Sequence, residues 1–491
     1  MNGCRKGLPF ILCIFKLRII LNDRKTPICM KITAIIPFFL FILISPRLHA
    51  QVLDWDAVRT QVLATHPAAR QADLLPEQAA SVLLRAKGGF DPRLFGDYSE
   101  KRFNGKQYFQ FSETGVKWPV RAGMELKGSF NYARGNFLNP ENSLPTNGQA
   151  AFGLEWSLGQ GLLYDERRAA LDDARVTAEF NKALRASSLN DLLFDAAKAY
   201  WSWFYAANSV EITQNALEQV KIRHVSLVES FLQGDKPAVD TLETFIQLQN
   251  RQLDLQFARM EARTSALELV NFLWTSPSAP LDTALLPVPP ADNMLSAQLP
   301  DLNNFAAATH PDLMQYAAKR KALEIERKLK NEKRKPVLNV NYALLGNQWT
   351  FFPTAGLEGP SVVANDMKWG VNIYYPLLNR KARGDYDLTK IKISQTDLNI
   401  QQKIREITTK TGQYITEANT LLAQVNTFRQ ITDNYRTLLD AEIEKFAQGE
   451  SSVFLINTRE QRWLDARLKY LKLVAEWKKA EAGAKWAAGQ L

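Results

Sequence analysis

The chain of 491 residues is poor in the side chains that usually carry out catalysis. After its first 50 residues it has three histidines, His66, His224 and His310, and no cysteine. It shows no phosphate-binding loop, nucleophile elbow or metal-ligand spacing. One pair of carboxylates, Asp240 and Glu243, is spaced so that both would lie on the same face of a helix. We expect a protein that is not an enzyme and that uses no cofactor or metal.

Two of the histidines belong to a tripeptide that occurs twice. The sequence Thr65-His66-Pro67 recurs as Thr309-His310-Pro311, and a helical pattern follows each copy. Proline suits the first turn of a helix because its missing N–H has no partner there in any case. Both tripeptides therefore predict helix starts, at which the histidines are not ligands. His224 falls on an apolar helical row, which predicts a packed coiled-coil residue.

Residues 1–50 have the features of a leader. Met30-Lys31 supplies a basic start, an apolar core follows, and Ala50-Gln51 offers a small residue at a cleavage point. This order is typical of a signal peptide, which we expect at about residues 30–50. All three cysteines, Cys4, Cys13 and Cys29, lie in this leader. The exported chain would then have no disulfide, no thiolate and no cysteine at the cleavage point to carry a lipid.

The net charge depends on this leader. The full chain has 61 Lys and Arg against 51 Asp and Glu, and the first 50 residues hold eight of the former and one of the latter. The remainder has 53 basic and 50 acidic residues, which is close to neutral. We therefore expect no basic patch for nucleic acid.

The dominant element of the sequence is a run without Gly or Pro from Leu162 to Gln233. As a helix it would be about 108 Å long, at 1.5 Å per residue. Gly234 ends it in the position that favours glycine, and a return run follows from Ala238 to Ser276. A second long run, from about Arg380 to Gln448, ends at Gly449 in the same way, and a helix then continues to about Ala482.

A region of alternating, aromatic-rich strands precedes each long run. The first extends from Phe90 to Leu158 and the second begins at Val337. The order helix, strands, long helix, glycine turn and return helix thus occurs twice, which predicts a tandem repeat. Aromatic residues near the strand ends are typical either of a membrane-interface girdle or of a soluble sheet; they are Trp118, Trp349, Phe351, Phe352, Trp369, Tyr374 and Tyr375.

The return helices carry apolar rows at coiled-coil spacing. The first has one such row, which runs from Val239 through Leu253 and Leu267 to Trp274. The last helix has two adjacent rows, which begin at Val453 and Phe454. Two rows indicate a neighbour on each side, as in a closed wall of helices, or else a bundle helix with a wide apolar face. Symmetric oligomerisation would close both such a wall and a membrane sheet.

With these motifs the chain resembles TolC-type outer-membrane efflux proteins. The likeness rests on the two Thr-His-Pro helix starts, the two Phe-x-x-Gly hairpin ends, the entry Leu158-Gly159-Gln160-Gly161 and above all the repeated order of elements. It implies a mixed α and β membrane fold in which a homotrimeric outer-membrane β-barrel continues into a long periplasmic α-helical barrel. The expected location is the outer membrane of a Gram-negative cell, with the helices in the periplasm.

The resemblance also implies a function and partners. Such proteins are the exit ducts of tripartite efflux pumps or type I secretion systems, and they work with a periplasmic adaptor, an inner-membrane transporter and outer-membrane lipid. The alternative is that the chain is itself a periplasmic adaptor with coiled-coil hairpins. Adaptors, however, have one hairpin flanked by small β-domains, whereas this chain has two hairpins, each preceded by strands.

The implied organisation assigns a role to each segment. The segments are a leader (1–50), equatorial helices (51–89), barrel strands (90–160), a first long hairpin (161–275), a Pro-rich connector (276–300), an equatorial helix (301–335), barrel strands (336–378), a second long hairpin (379–482) and a tail (483–491). The first strand region is longer than two membrane strands need. An extra hairpin at Asn104-Gly105 could enlarge the barrel beyond the usual twelve strands or lie outside it.

The resemblance points to two candidate sites at the periplasmic ends of the hairpins. Where relatives often carry two Asp in the second hairpin, this chain has Leu455 and Thr458, but the first hairpin has Asp240 and Glu243. Three copies would form a ring of carboxylates that constricts the duct and selects for cations, unless the pair is simply a solvated face. The hairpin ends are predicted to dock an adaptor; their residues are Gln233, Gly234, Asp235, Gln448, Gly449 and Glu450.

Overall fold

The computed structural model describes residues 53–140, 143–276, 279–280, 309–347 and 366–491. The predicted leader and nearly all of the predicted connector lie outside these residues. The helices are α1 (Trp55–Thr65), α2 (Pro67–Lys87), α3 (Glu166–Leu232), α4 (Ala238–Val270), α5 (Pro311–Glu332), α6 (Arg380–Ala447) and α7 (Val453–Ala487). The strands are β1 (Arg93–Phe103), β2 (Lys106–Pro119), β3 (Met124–Arg134), β4 (Gln149–Ser157), β5 (Trp274–Ser276), β6 (Ala279–Pro280), β7 (Val337–Asn347) and β8 (Met367–Tyr374).

The two long helices form as the sequence predicts. Helix α3 has 67 residues and α6 has 68, so each is about 100 Å long. Helix α3 begins where the Asp165 carboxylate accepts a hydrogen bond from the Arg168 backbone N–H at 2.8 Å, and it ends before Gly234. Among the described helices, none combines the length and the apolar content that crossing a bilayer requires.

Both Thr-His-Pro tripeptides start helices, as predicted. The Nδ1 atom of His66 accepts a hydrogen bond from the Ala68 N–H, and that of His310 accepts one from the Asp312 N–H, each at 3.1 Å. Burial lowers the pKa of both imidazoles below the usual value. The lowered pKa favours the neutral ring, and only a neutral ring can accept these hydrogen bonds.

Two predicted helix ends are wrong. Helix α4 stops at Val270 instead of continuing to Ser276, because Trp274 enters the small sheet β5–β6. The carbonyl oxygen of Trp274 also accepts hydrogen bonds from the side chains of Gln61 and Thr65, which tie this segment to α1. Helix α7 continues to Ala487, five residues past its predicted end at Ala482. It carries Gly483 inside, where a Cβ atom would come within 2.5 Å of the Tyr414 ring.

Six strands form one antiparallel sheet in the order β1-β2-β3-β4-β7-β8. The turn between β1 and β2 is Asn104-Gly105, with φ angles of 50° and 71°, the conformation that two-residue hairpins favour. For a single chain, the strand order answers whether this hairpin belongs to the same sheet as the other strands. The hairpin extends the sheet along β3 instead of lying apart from it.

The four long helices lie side by side in the order α4–α3–α7–α6. Helix α7 packs against α6 on one side and α3 on the other, which confirms the neighbours predicted from its two apolar rows. The largest cluster of buried side chains lies midway along the helices, where Tyr200 and Phe204 of α3 meet Leu471 and Val474 of α7. Helix α6 faces α7 with buried residues at intervals of seven, namely Thr411, Ala418, Val425, Thr432 and Leu439.

Candidate functional site

The first hairpin end is a glycine turn held by three backbone hydrogen bonds. The N–H of Gln233 donates to Glu229, that of Gly234 to Phe231 and that of Asp235 to Ser230, at 3.0–3.1 Å. Gly234 has φ +84°, a left-handed conformation that is strained for other residues. The turn therefore requires glycine for backbone reasons alone.

The second hairpin end repeats this geometry. Gly449 has φ +80° and its N–H donates to the carbonyl of Phe446 at 3.0 Å. Lys236, just beyond the first turn, places its Nζ atom 5.1 Å from the centre of the Phe446 ring. The two ends therefore lie next to each other, and all six predicted docking residues are exposed there.

Above the ends, a polar bridge joins the two hairpins. Arg223 of α3 donates hydrogen bonds to Glu460 of α7 at 2.8 Å and to the Asn457 side chain at 2.9 Å. Asn457 in turn donates to Glu243 of α4 at 3.2 Å. Glu460 and Asn457 are only 5% and 4% exposed. A buried carboxylate in an otherwise apolar row needs such a partner, so Arg223 and Glu460 depend on each other.

A second link lies farther from the ends. Arg251 of α4, which is 3% exposed, donates to the Gln461 side chain of α7 at 2.6 Å and pairs with Asp254 at 2.9 Å. Its Nε atom has no hydrogen-bond partner. Nearer the ends, His224 and Thr244 share a hydrogen bond of 3.0 Å between α3 and α4, which agrees with the packed role predicted for this histidine.

The two residues of the predicted carboxylate pair make different contacts in the structure. Asp240 lies in the first turn of α4 and is half-buried. Glu243 is also half-buried but belongs to the polar bridge through Asn457. Sequence patterns alone did not predict Arg223, Asn457 or Glu460 as functional residues. The signal was present, however, because Glu460 and Asn457 are polar residues within the two apolar rows of α7.

The predicted apolar row of α4 faces away from its own hairpin partner. Its members are exposed in the single chain, among them Val239, Leu242, Ile246, Leu253, Met260 and Leu267. The buried residues of α4 form a different row, whose members are Thr244, Arg251, Leu255, Ala258, Ser265 and Leu269. The row is thus an uncovered apolar face along the edge of the four-helix layer.

The large sheet has one apolar and one polar face. In one row across the strands, Leu126, Leu154, Tyr342 and Trp369 lie next to one another on the same face. The neighbouring row on the other face contains Glu155 opposite Asn341. Large side chains on the apolar face are exposed, including Trp118, Phe152, Trp156, Trp369, Val371 and Ile373. Trp349, Phe351 and Phe352, for which a membrane girdle and a soluble sheet were equally compatible with the sequence, lie outside the described residues.

Comparisons with known proteins agree with this geometry. A family model described as outer membrane efflux protein matches residues 302–490. The CmeC outer membrane channel of Campylobacter jejuni is similar at 13% identity and TM-score 0.64, over 89% of this chain and 85% of that chain. The outer membrane protein VceC of Vibrio cholerae is similar at 12% identity and TM-score 0.62, over 89% and 96%. The MtrE outer membrane channel of Neisseria gonorrhoeae, in its open state, is similar at 12% identity and TM-score 0.61, over 89% and 88%. Among curated proteins, none matches the chain by sequence.

Proposed function

We propose that this chain, a TolC-type outer-membrane efflux protein, is the passive exit duct of an efflux or type I secretion system. The observation that carries the proposal is the joining of two hairpins, each with one helix about 100 Å long, to a sheet with one exposed apolar face. The protein lies in the outer membrane and extends into the periplasm, as the channels that share its fold do. Its family is one of channels and not of enzymes. The alternative of a periplasmic adaptor loses its support, because the matching family and structures are outer-membrane channels.

On this proposal the segments divide as the sequence suggested. Residues 90–160 and 336–378 form the membrane barrel, and residues 161–275 and 379–482 form the helical tube. The helices at 51–89 and 301–335 surround the tube at its equator, and the connector at 276–300 joins the two repeats.

The working form is a homotrimer. The four-helix layer exposes the apolar row of α4 along one edge, and the other edge is α6. A second copy that placed its α6 against this row would bury it, and three copies would close a tube of twelve helices. A nucleic acid has no place in this arrangement, whereas outer-membrane lipid would cover the apolar face of the sheet.

The hairpin ends are the docking site for a periplasmic adaptor, which links the duct to an inner-membrane transporter. Gln233, Gly234 and Asp235 lie beside the corresponding residues of the second end, Gln448, Gly449 and Glu450. All six are exposed at the far end of about 100 Å of helix. In the trimer, Asp240 and Glu243 lie just above these ends and form the cation-selective constriction.

Fractionation and bilayer recording test the function. We expect the protein in outer-membrane extracts as a trimer that dissociates on heating, and we expect purified trimers to conduct ions across a planar bilayer. Recovery of the protein as a soluble periplasmic monomer would contradict the duct. Trimers that conduct no ions, even in a variant whose hairpin ends are loosened, would contradict it as well. A pull-down with the unmodified protein then identifies the adaptor. The same pull-down with the hairpin-end glycines replaced serves as the comparison.

A further inference from the structure

The membrane sheet of one chain has six strands in the described residues, and its two outer strands run in opposite directions. Strand β1 leads from the equatorial helices toward the outer side, whereas β8 returns toward α6. We infer that, if the chain works as the trimeric duct proposed above, three copies close an eighteen-stranded barrel in which β8 of each copy pairs with β1 of the next. The pairing is antiparallel, like every other pairing in the sheet.

Near its base, the additional hairpin β1–β2 has its apolar face on the same side as the rest of the sheet. Leu94 lies opposite Val116, and both are exposed on the face that carries the apolar residues of β3 and β4. On the other face Glu113 of β2 pairs with Lys127 of β3 at 2.5 Å. A hairpin outside the membrane would have no reason to continue this alternation in register.

The apolar face of this hairpin begins at Leu94 and ends at Tyr98. Beyond Tyr98, the next side chain on the same face is Glu100. Its carboxylate accepts hydrogen bonds from Arg102 at 2.5 Å, Gln107 at 2.9 Å and Tyr98 at 3.1 Å. Tyrosine is typical of the membrane interface, so the part of the hairpin beyond Tyr98 extends into the outer solvent.

The ends of the strands are staggered as in a closed barrel, which is the main support for the eighteen-stranded barrel. Tyr374, the last residue of β8, lies opposite Val337, the first residue of β7. From β7 to β1, each strand end on the helix side lies farther along the sheet than the one before it. The end moves by two residues from β7 to β4, by one from β4 to β3, by one from β3 to β2 and by two from β2 to β1. The total is six residues over the five strand steps from β8 to β1. At about 3.3 Å per residue and 4.8 Å per strand, this stagger equals a tilt of about 40°. Barrel strands tilt by about 35–45°, so all six strands follow one barrel wall.

The number eighteen also matches the width of the helical tube. Eighteen strands at this tilt give a circumference of about 113 Å and a diameter of about 36 Å, against about 24 Å for twelve strands. Twelve helices at about 8–10 Å spacing give a circumference of about 96–120 Å. The barrel thus continues the tube without narrowing, so the constriction of the duct lies at the hairpin ends and not at the outer mouth.

Cysteine cross-linking between copies tests the pairing, because all native cysteines lie at positions 4, 13 and 29. Tyr98→Cys on β1 is combined in turn with Met367→Cys, Trp369→Cys and Val371→Cys on β8, which share its face. These three partners cover the register in which Arg93 faces Tyr374 and its slips by two residues. Each pair is oxidised in outer-membrane trimers of the full chain and run on a non-reducing gel.

The matched control moves the first cysteine to β3, as Phe130→Cys with the same β8 partners. If the barrel had twelve strands, β8 would pair with β3 of the next copy and this control would cross-link. We expect covalent dimers and trimers from at least one Tyr98→Cys pair, none from the Phe130→Cys pairs and none from single variants. Trimers that cross-link only through Phe130→Cys, or through neither residue, overturn the eighteen-stranded barrel. Failure to recover any outer-membrane trimer of the unmodified chain would instead contradict the proposed function.

Discussion

Removal of the Arg223 side chain should loosen the contact between the two hairpins of one protomer. The side chains of Arg223 and Glu460 are 17% and 7% exposed and their charged atoms are 2.8 Å apart. In Arg223→Ala the Glu460 carboxylate keeps its burial but loses its cation. Loss of one partner of a fully buried pair costs about 3–5 kcal/mol. Because a cavity of about 580 Å³ borders both residues and admits water, we expect about 2–3 kcal/mol here.

This free energy favours separation of the hairpin ends. Every 1.4 kcal/mol is a factor of ten, so the ratio of open to closed ends should rise about 30- to 100-fold. The assay is the conductance of purified trimers in planar bilayers. We expect Arg223→Ala to conduct more than the unmodified protein, with a smaller gain for Glu460→Gln. The double variant should gain less than the two single gains together, because both remove the same interaction.

A surface pair on the same helix supplies the control. Arg175 and Asp172 are paired at 3.1 Å, but their side chains are 62% and 39% exposed, so the pair contributes little. Arg175→Ala should leave conductance unchanged. Equal gains from Arg175→Ala and Arg223→Ala, or additive gains from Arg223→Ala and Glu460→Gln, would refute the role of the bridge.

Three further predictions concern other parts of the chain. Asp240→Asn combined with Glu243→Gln should abolish cation preference in bilayer recordings, and an unchanged reversal potential under a salt gradient would contradict the carboxylate ring. Burial lowers the pKa of His310 in the folded protein, so the unfolded chain binds a proton at this imidazole more readily, and the stability of the trimer should fall as the pH drops below about 6.5. His310→Asn keeps a capping oxygen and should make this loss of stability smaller in thermal melts. An equal loss in both proteins would disprove the role of His310. Because Gly449 has a positive φ, Gly449→Ala should destabilise the second hairpin end by about 1 kcal/mol and speed its hydrogen exchange about fivefold. Gly449→Asn should destabilise it less. Equal exchange rates in the unmodified protein and both variants would contradict this explanation.

Local sequence signals predicted the helices well because their physical causes are local. Runs without Gly or Pro predicted α3 and α6, and the glycine turns at Gly234 and Gly449 have the expected left-handed conformation. The ends of α4 and α7 were missed because tertiary contacts decide them. Trp274 leaves the helical path to contact α1, and Gly483 continues a helix because the neighbouring helix approaches closely there.

Partner assignment is where sequence patterns were least informative. The apolar row of α4 was recognised, but periodicity does not state which neighbour covers a row. In the structure α4 turns Thr244 toward His224 of α3, and the apolar row remains exposed. The bridge of Arg223, Asn457 and Glu460 was missed for the same reason, since residues more than 200 positions apart meet only through the packing of two hairpins.

The composition of the buried side chains changes along the helices. Midway along the helices, Tyr200, Phe204 and Trp477 lie in a large buried cluster. Near the hairpin ends buried polar residues such as Thr244 and Glu460 lie among buried apolar ones such as Leu227 and Val453, and hydrogen bonds supplement the apolar contact. Elements with few buried apolar contacts open at low free-energy cost, whereas those in a dense core open only with global unfolding. The hairpin ends should therefore separate before the middle of the helices does, so the movable part of the proposed duct would lie at the proposed docking site.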